Sequence, residues 1–321
     1  MTVYIFGAGS TRGTLNDSAP VSREFGAKLD PDSYPNLAKA ARYLSPKEPC
    51  LNKQGLEELW SFVDYYAKFC VRRGGFLEHN DWLEPAIGEL KRAILAIYGK
   101  GCEAAAAKIT GSSRCTLVSI IKGVKEGDAI ISFNYDTLVE TLGMRMGLPL
   151  VHGGTRCQGA HKVQFAKPHG STSWGVGGPH PPPVGEPLLD SLAPEDVKDK
   201  DRDPKSEPLV LGAVPIKSEL ISEVQYHYGA CDVFKLIMRQ WEVVMESVRA
   251  ADRVVVVGYG FPKEDHHGRF LFLEAGRRRH VPLKRVEYYS KNDDCHAAIR
   301  EVFGSDCEVI SRGEVLSQEG K

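Results

Sequence analysis

The chain has 321 residues, 42% of them hydrophobic and 26% charged, an ordinary globular composition with material for one large domain or two modest ones. Its formal net charge of −1 excludes a global field that would draw in nucleic acid or an anionic membrane. No apolar run approaches the roughly 18–20 residues of a membrane helix, and the N-terminus enters a strand without a basic and apolar leader, so a cytoplasmic protein is expected.

Thr2 to Phe6 is apolar and β-branched, which predicts a first strand. Gly7, Gly9 and Gly13 follow, spaced G-x-G-x-x-x-G, near a dinucleotide fingerprint but not its usual form. Glycines let a backbone turn tightly or approach a phosphate without a Cβ in the way. In a dehydrogenase the helix would start inside the glycines. Here Asn16-Asp17-Ser18 and Pro20 are turn residues, so Thr14 to Pro20 reads as loop. The first helix start is then Ser22, an N-cap leading into Arg23-Glu24-Phe25. The glycines therefore sit in a long loop that either folds over a ligand or simply turns the chain.

Asp30 to Pro49 reads as a polar connection around a short helix near Leu37 to Leu44. Beyond Gly55, Leu56, Leu59, Val63, Ala67 and Cys70 share one helical face. Leu83, Ile87, Leu90, Ile94 and Ile97 mark a second helix over Asp81 to Tyr98, and Glu103 to Ile109 and Cys115 to Lys122 are further helices. Residues 51–122 thus read as a helical insertion beside a core built from 1–50 and 123–321, with Trp60 and Trp82 inside it.

Ala129 to Phe133 is a buried-strand run that ends abruptly at Asn134-Tyr135-Asp136, and Leu138, Leu142 and Met146 begin a helix. Asn134 and Asp136 either hold a sugar hydroxyl, an amide or a water, or shape the turn and cap the helix. Pro149 to His152 and Val163 to Ala166 read as short strands. The loop Lys167-Pro168-His169-Gly170-Ser171 then carries a histidine, the side chain that titrates near neutral pH. Gly175 to Pro208, Pro-rich and then charged, cannot bury a core and is expected to be an exposed loop, a lid or a plain surface excursion.

Leu209 to Val214 is the next strand and Tyr228 to Val248 an amphipathic helix. Arg253 to Val257 is all valine at its centre, and such strands imply a parallel sheet covered on both faces. Gly258-Tyr259-Gly260-Phe261-Pro262 follows, then a helix from Glu264 to Arg278. Asp265, His266 and His267 are a poor metal set, because consecutive helical positions point about 100° apart. Arg277-Arg278-Arg279-His280 complements a helix C-terminus. Arg285 to Tyr289 is the last strand and Cys295 to Phe303 the last helix. The 8 cysteines include no C-x-x-C pair, so free thiols are expected. The expected fold class is α/β: a Rossmann-like parallel sheet with helices on both faces and an inserted helical subdomain.

Taken in order, Gly-Ala-Gly-Ser at 7–10, Phe-Asn-Tyr-Asp at 133–136, Lys-Pro-His-Gly-Ser at 167–171 and Val-Gly-Tyr-Gly-Phe-Pro at 257–262 resemble the SIR2-like proteins of bacterial anti-phage defence. These are relatives of the sirtuins, which carry Gly-Ala-Gly-Ile-Ser, Gln-Asn-Ile-Asp and a His-Gly, and they typically cleave NAD. The resemblance implies that Gly7, Ala8, Gly9 and Ser10 line the NAD pyrophosphate. It places Asn134 and Asp136 near the nicotinamide and its ribose, makes His169 the catalytic histidine, and sets Gly258 and Tyr259 against the adenosine half. Two departures shape the expected activity. No four-cysteine zinc module is present, and Phe133 stands where sirtuins have Gln. NAD+ hydrolysis is thus expected ahead of protein deacylation or ADP-ribosyl transfer, and ahead of a non-catalytic module that binds NAD or ADP-ribose. No zinc, and no cofactor beyond NAD+ as substrate, is expected. The resemblance further implies a homo-oligomer and a partner ATPase or sensor protein; charge and hydropathy lead to the expectation of no membrane and no directly bound nucleic acid.

Overall fold

The computed structural model describes residues 1–15, 19–47, 50–63, 82–100, 102, 106–110, 113–152, 162–176, 207–210, 231–263, 265–278, 282–291 and 294–315. Their centre is a seven-stranded sheet in which every pairing is parallel. Its strands are β1 (Thr2–Phe6), β2 (Ala129–Ser132), β3 (Leu150–His152), β4 (Val163–Ala166), β7 (Arg253–Val257), β8 (Arg285–Tyr289) and β9 (Glu308–Ser311). Their order across the sheet is β3-β4-β2-β1-β7-β8-β9. β5 (Gly170–Val176) and β6 (Glu207–Val210) form a separate antiparallel pair.

The alternation of side chains along each strand sorts the apolar residues into two cores. Val3, Ile5, Ala129, Ile131, Val254, Val256 and Val286 face one side. There they meet the buried stripes of α7 (Cys231–Ala250), α8 (His266–Arg277) and α9 (Asp294–Phe303). Tyr4, Phe6, Ile130, Phe165, Val255 and Val257 face the other. They meet α5 (Thr116–Gly123) and α6 (Leu138–Arg145). Strands with both faces covered need apolar residues at every position, which is why β1, β2 and β7 read as unbroken apolar runs. The fold is α/β and Rossmann-like, as the sequence pattern predicts.

A third core belongs to the helical layer. Phe25, Leu29, Leu37, Ala40 and Ala41 pack there with Leu56, Leu59, Trp60, Trp82, Leu90 and Ile94. Most come from α2 (Pro35–Leu44), α3 (residues 56–63) and α4 (Leu83–Ile94), whereas Phe25 and Leu29 precede α2 and Trp82 stands at the N-cap of α4. The boundaries expected at 50/51 and 122/123 therefore shift. Residues 25–41 join the helical layer, whereas Cys102, Ala106, Ile109 and Leu117 pack on the sheet. The first chain segment after β1 supplies apolar side chains to the helices, and periodicity alone did not reveal that.

Glu89 ties this layer together. Nothing local caps α2, whose N-cap is Tyr34. Instead the Glu89 carboxylate, buried on α4, accepts the Asn36 and Leu37 backbone N–H groups at 2.9 Å each and Asn36 Nδ2 at 2.6 Å. Glu89→Ala removes a cap and strands buried donors, so it should lower stability by about 2–3 kcal/mol. Urea denaturation measures this, and a loss below about 0.5 kcal/mol would contradict the assignment.

Other expectations shift locally. The chain is helical at α1 (Ala8–Thr14), not a loop, and Ser22–Glu24 is only a 3-10 turn without a side-chain cap. Gly170 opens β5 where a loop was expected, Gly175 and Val176 lie within that strand, and β6 ends at Val210. The rest of the predicted Pro-rich loop, 177–206, and of the strand to Val214 lies outside the described residues, as do Ala67 and Cys70. β9 was not foreseen: it is a short edge strand, only half-buried at Val309 and Ile310. Among the described residues, no helix is long and apolar enough to cross a membrane.

Candidate functional site at the carboxyl edge of the sheet

β1 lies between β2 and β7. The strands that follow β1 in the chain, β2 to β4, all lie on one side of it, and the later β7, β8 and β9 lie on the other, so the strand order reverses there. In open α/β sheets the crevice outside the carboxyl ends at such a point is where ligands bind. The segments after β1, β2, β4 and β7 all emerge at this edge, and they hold all the residues singled out from sequence.

The first cluster joins β1 to β2. Asn134, only 4% exposed, donates from Nδ2 to Ser10 Oγ at 3.2 Å and to Thr11 Oγ1 at 3.0 Å. Both hydroxyls already have acceptors for their own protons. Ser10 Oγ donates to the Gly7 carbonyl at 2.7 Å, and Thr11 Oγ1 donates to Asp136 Oδ2 at 2.8 Å. The hydroxyls can therefore only accept from Asn134, which fixes the amide orientation. Asn134 Oδ1 is left buried with no hydrogen-bond partner among the described residues.

Asp136 is committed to the chain. Its Oδ1 accepts the Leu138 N–H at 3.0 Å, the start of α6, while Oδ2 holds Thr11. Burial pushes its carboxyl above the ordinary range, partly opposed by the Lys167 charge. Lys167 itself is fully buried. Its ammonium donates to the Asp136 carbonyl and to Glu140 Oε1 at 2.7 Å. Sequence reading missed Lys167, Glu140 and Thr11. A lone lysine or glutamate normally lies on the surface, and only the topology shows that these two meet.

The second cluster joins β4 to β7. His169, 4% exposed, sets Nε2 at 3.2 Å from Asp265 Oδ2. Asp265 Oδ2 also accepts the Tyr259 hydroxyl at 2.7 Å, and Oδ1 accepts the Gly268 N–H at 3.1 Å, capping α8. Phe133 links the two clusters. Its ring stacks on Tyr259 at 4.3 Å between centroids and meets the His169 ring edge-on at 5.0 Å. An aromatic at 133 thus fixes two neighbours. Tyr135, one residue past Asn134, belongs to the helical core and comes within 6.4 Å of the His169 ring centroid. Asp265 is therefore a partner of His169, and among the described residues no group of three His, Cys, Asp or Glu side chains is placed to share a metal. Cys50, Cys102, Cys115, Cys295 and Cys307 are free thiols.

The glycines mesh with one another. Gly7 N donates to Val257 O, Gly9 N to Gly258 O and Ser10 N to Gly7 O. A Cβ on Gly7 would lie 2.6 Å from Tyr259 Cα, and one on Gly13 2.5 Å from Val315 O. The amides of Gly7, Gly9 and Ser10 are thus engaged within the fold, and Ala8 and Gly9 are half-buried at its rim. The helix after β1 does begin inside the glycine motif, so a late helix start no longer separates this chain from a dehydrogenase. The topology still does: a dehydrogenase returns to the sheet after one helix, whereas here β2 begins only at Ala129.

No family model matches the chain, and no curated protein matches it. Among solved structures it is similar to a protein described as "Structural Basis for the Mechanism and Regulation of Sir2 Enzymes". The identity is 13% over 97% of this chain and 86% of that one, with a TM-score of 0.32. The assignment to a Rossmann-like α/β fold rests on the sheet's own parallel topology.

Proposed function

We propose that the chain hydrolyses NAD+ to nicotinamide and ADP-ribose. The observation that carries this reading is the orphaned Oδ1 of Asn134. Leaving such an acceptor buried costs about 1–3 kcal/mol, which a ligand hydroxyl or water offsets by donating to it. With Nδ2 fixed by Ser10 and Thr11, Asn134 can orient a donor only, as a ribose hydroxyl or attacking water requires. His169 then acts as general base on that group while the nicotinamide departs through an oxocarbenium-like transition state. Asp136 supports Asn134 through Thr11, so its part is positioning. Gly7, Ala8, Gly9, Ser10 and Gly258 border the pyrophosphate by close backbone approach. Tyr259 spends its hydroxyl on Asp265 and serves His169 more directly than the adenosine. A cytoplasmic role in anti-phage defence, with a homo-oligomer restrained by an ATPase or sensor partner, is consistent with such an activity and is part of the proposal.

The test is nicotinamide release from NAD+ by the purified chain. Asn134→Ala and His169→Ala should each retain the fold and lose about 10²–10⁴-fold in rate. Wild type that binds NAD+ without turnover would favour a binding module. Wild type that binds no adenine nucleotide would remove the site.

A further inference from the structure

We infer that Asp265 is the positioning residue of His169, fixing its tautomer and stabilising its protonated form. This deepens the reading above for the same site. Asp265 is fully buried, and its carboxylate makes directional contacts with three described residues. Gly268 N on Oδ1 and Tyr259 Oη on Oδ2 fix the carboxylate plane, and His169 Nε2 approaches that same Oδ2. Gly268 makes room for this arrangement: a Cβ there would lie 2.4 Å from Asp265 Oδ2 and 2.8 Å from Tyr259 Oη. The Phe133 ring edge holds the imidazole from another side.

The chemical consequence follows from the ring. With Nε2 turned to a carboxylate, the proton of the neutral imidazole resides on Nε2 and Nδ1 is its basic nitrogen. When Nδ1 takes a proton, the carboxylate stabilises the imidazolium, the same logic by which a buried aspartate supports a catalytic histidine elsewhere. Among the described residues, the other titratable and charged groups nearby have partners of their own; the His267 ring, for one, meets Trp241 edge-on at 5.9 Å. Burial and the Asp265 charge push the Tyr259 hydroxyl well above its usual range, so it remains a donor. Burial likewise raises Tyr135. Arg269 directs its guanidinium to the Phe261 carbonyl and to Glu301. Lys167 is turned to Glu140 and the Asp136 carbonyl.

The experiment is a pH titration of the full chain labelled with 15N-histidine, the His169 resonances being assigned with His169→Gln. Wild type should show the Nε2–H tautomer. Asp265→Asn, which keeps a residue suited to capping α8, should lower the His169 pKa by about one unit or more, as expected when an opposite charge that close is removed. Tyr259→Phe removes one donor from Oδ2 and makes the carboxylate more basic, so the His169 pKa should hold or rise. It also provides the reading if Asp265→Asn does not fold. An Nδ1–H tautomer in wild type, an unchanged pKa in Asp265→Asn, or a fall in Tyr259→Phe each overturns the inference. In the kinetic arm, the acid limb of kcat/KM for nicotinamide release should move with the titration while KM changes little. A shifted titration in a chain that leaves NAD+ intact supports the pairing and removes the NAD+ reading instead.

Discussion

A Lys167→Met variant is expected to lose about 3–5 kcal/mol of stability, the cost of leaving one charge of a buried pair alone. Lys167 is fully buried and Glu140 nearly so, and their 2.7 Å contact is the charge pair beneath the β2–α6 turn. Without the ammonium, Glu140 faces burial by itself and the Asp136 carbonyl loses its donor. Burial already pushes the Glu140 carboxyl above its ordinary range, against the Lys167 charge that holds it down. Removing Lys167 therefore raises it further. A carboxyl raised in the folded state binds its proton more tightly there than in the unfolded chain. Its contribution is present below the ordinary glutamate range and is lost as pH rises through the folded value. The variant's deficit should thus be smaller near pH ~5 than near pH ~8 in urea denaturation. An equal deficit at both would sink this assignment. Adding Glu140→Leu should recover the part of the loss that comes from the lone carboxylate, since an apolar pair of similar volume replaces a buried ion pair at little cost. The unsatisfied Asp136 carbonyl keeps about 1–3 kcal/mol of it.

The same pair shows where sequence reading stops. Strands β1, β2 and β7 are legible because burial on both faces leaves runs of apolar residues at their centres, and β4 and β8 because β-branched and aromatic residues dominate them around single polar positions, Gln164 and Glu287. β9 is not, because an edge strand needs only a weak apolar signal. α1 reads as loop from sequence because two of its seven residues are glycine and turn residues follow it. It is held by tertiary bonds that no propensity records: Thr11 to Asp136 and Asn134 to both Ser10 and Thr11. Asn134 stands out because it ends the apolar run at Phe133, and His169 because a histidine beside a strand end titrates near neutral pH. Their supporting residues did not, because Thr11, Lys167 and Asp265 are ordinary in their own neighbourhoods. Asp265 in particular looked like part of a weak metal cluster beside two histidines. Its real partner comes from another strand end, and only the order β4-β2-β1-β7 brings the two together.

The glycines give the second large effect, Gly258→Ala. Gly258 has φ of 64°, in the left-handed region, where a side chain costs about 1–2 kcal/mol. Its Cβ would lie 2.1 Å from Ser10 N and 2.4 Å from the Gly9 carbonyl carbon, both backbone atoms that cannot rotate aside. The β1–α1 turn must move instead, carrying with it Ser10 Oγ and Thr11 Oγ1, the two acceptors that orient Asn134. The variant should therefore lose about 3 kcal/mol or more of stability, strain and displacement together. A displacement of about 1 Å would also cost roughly 10²-fold in nicotinamide release. Gly260→Ala is the control two residues along the same motif. Its Cβ meets nothing within 4 Å, so it should stay within about 1 kcal/mol of wild type. Thermal or urea denaturation of the ligand-free chain separates two roles for glycine here. If Gly258 existed only to admit a phosphate, Gly258→Ala would weaken binding and leave the free protein's stability intact. Meshing of the β1 and β7 loops predicts the opposite order: the free protein is destabilised first, and activity falls because Asn134 is no longer held.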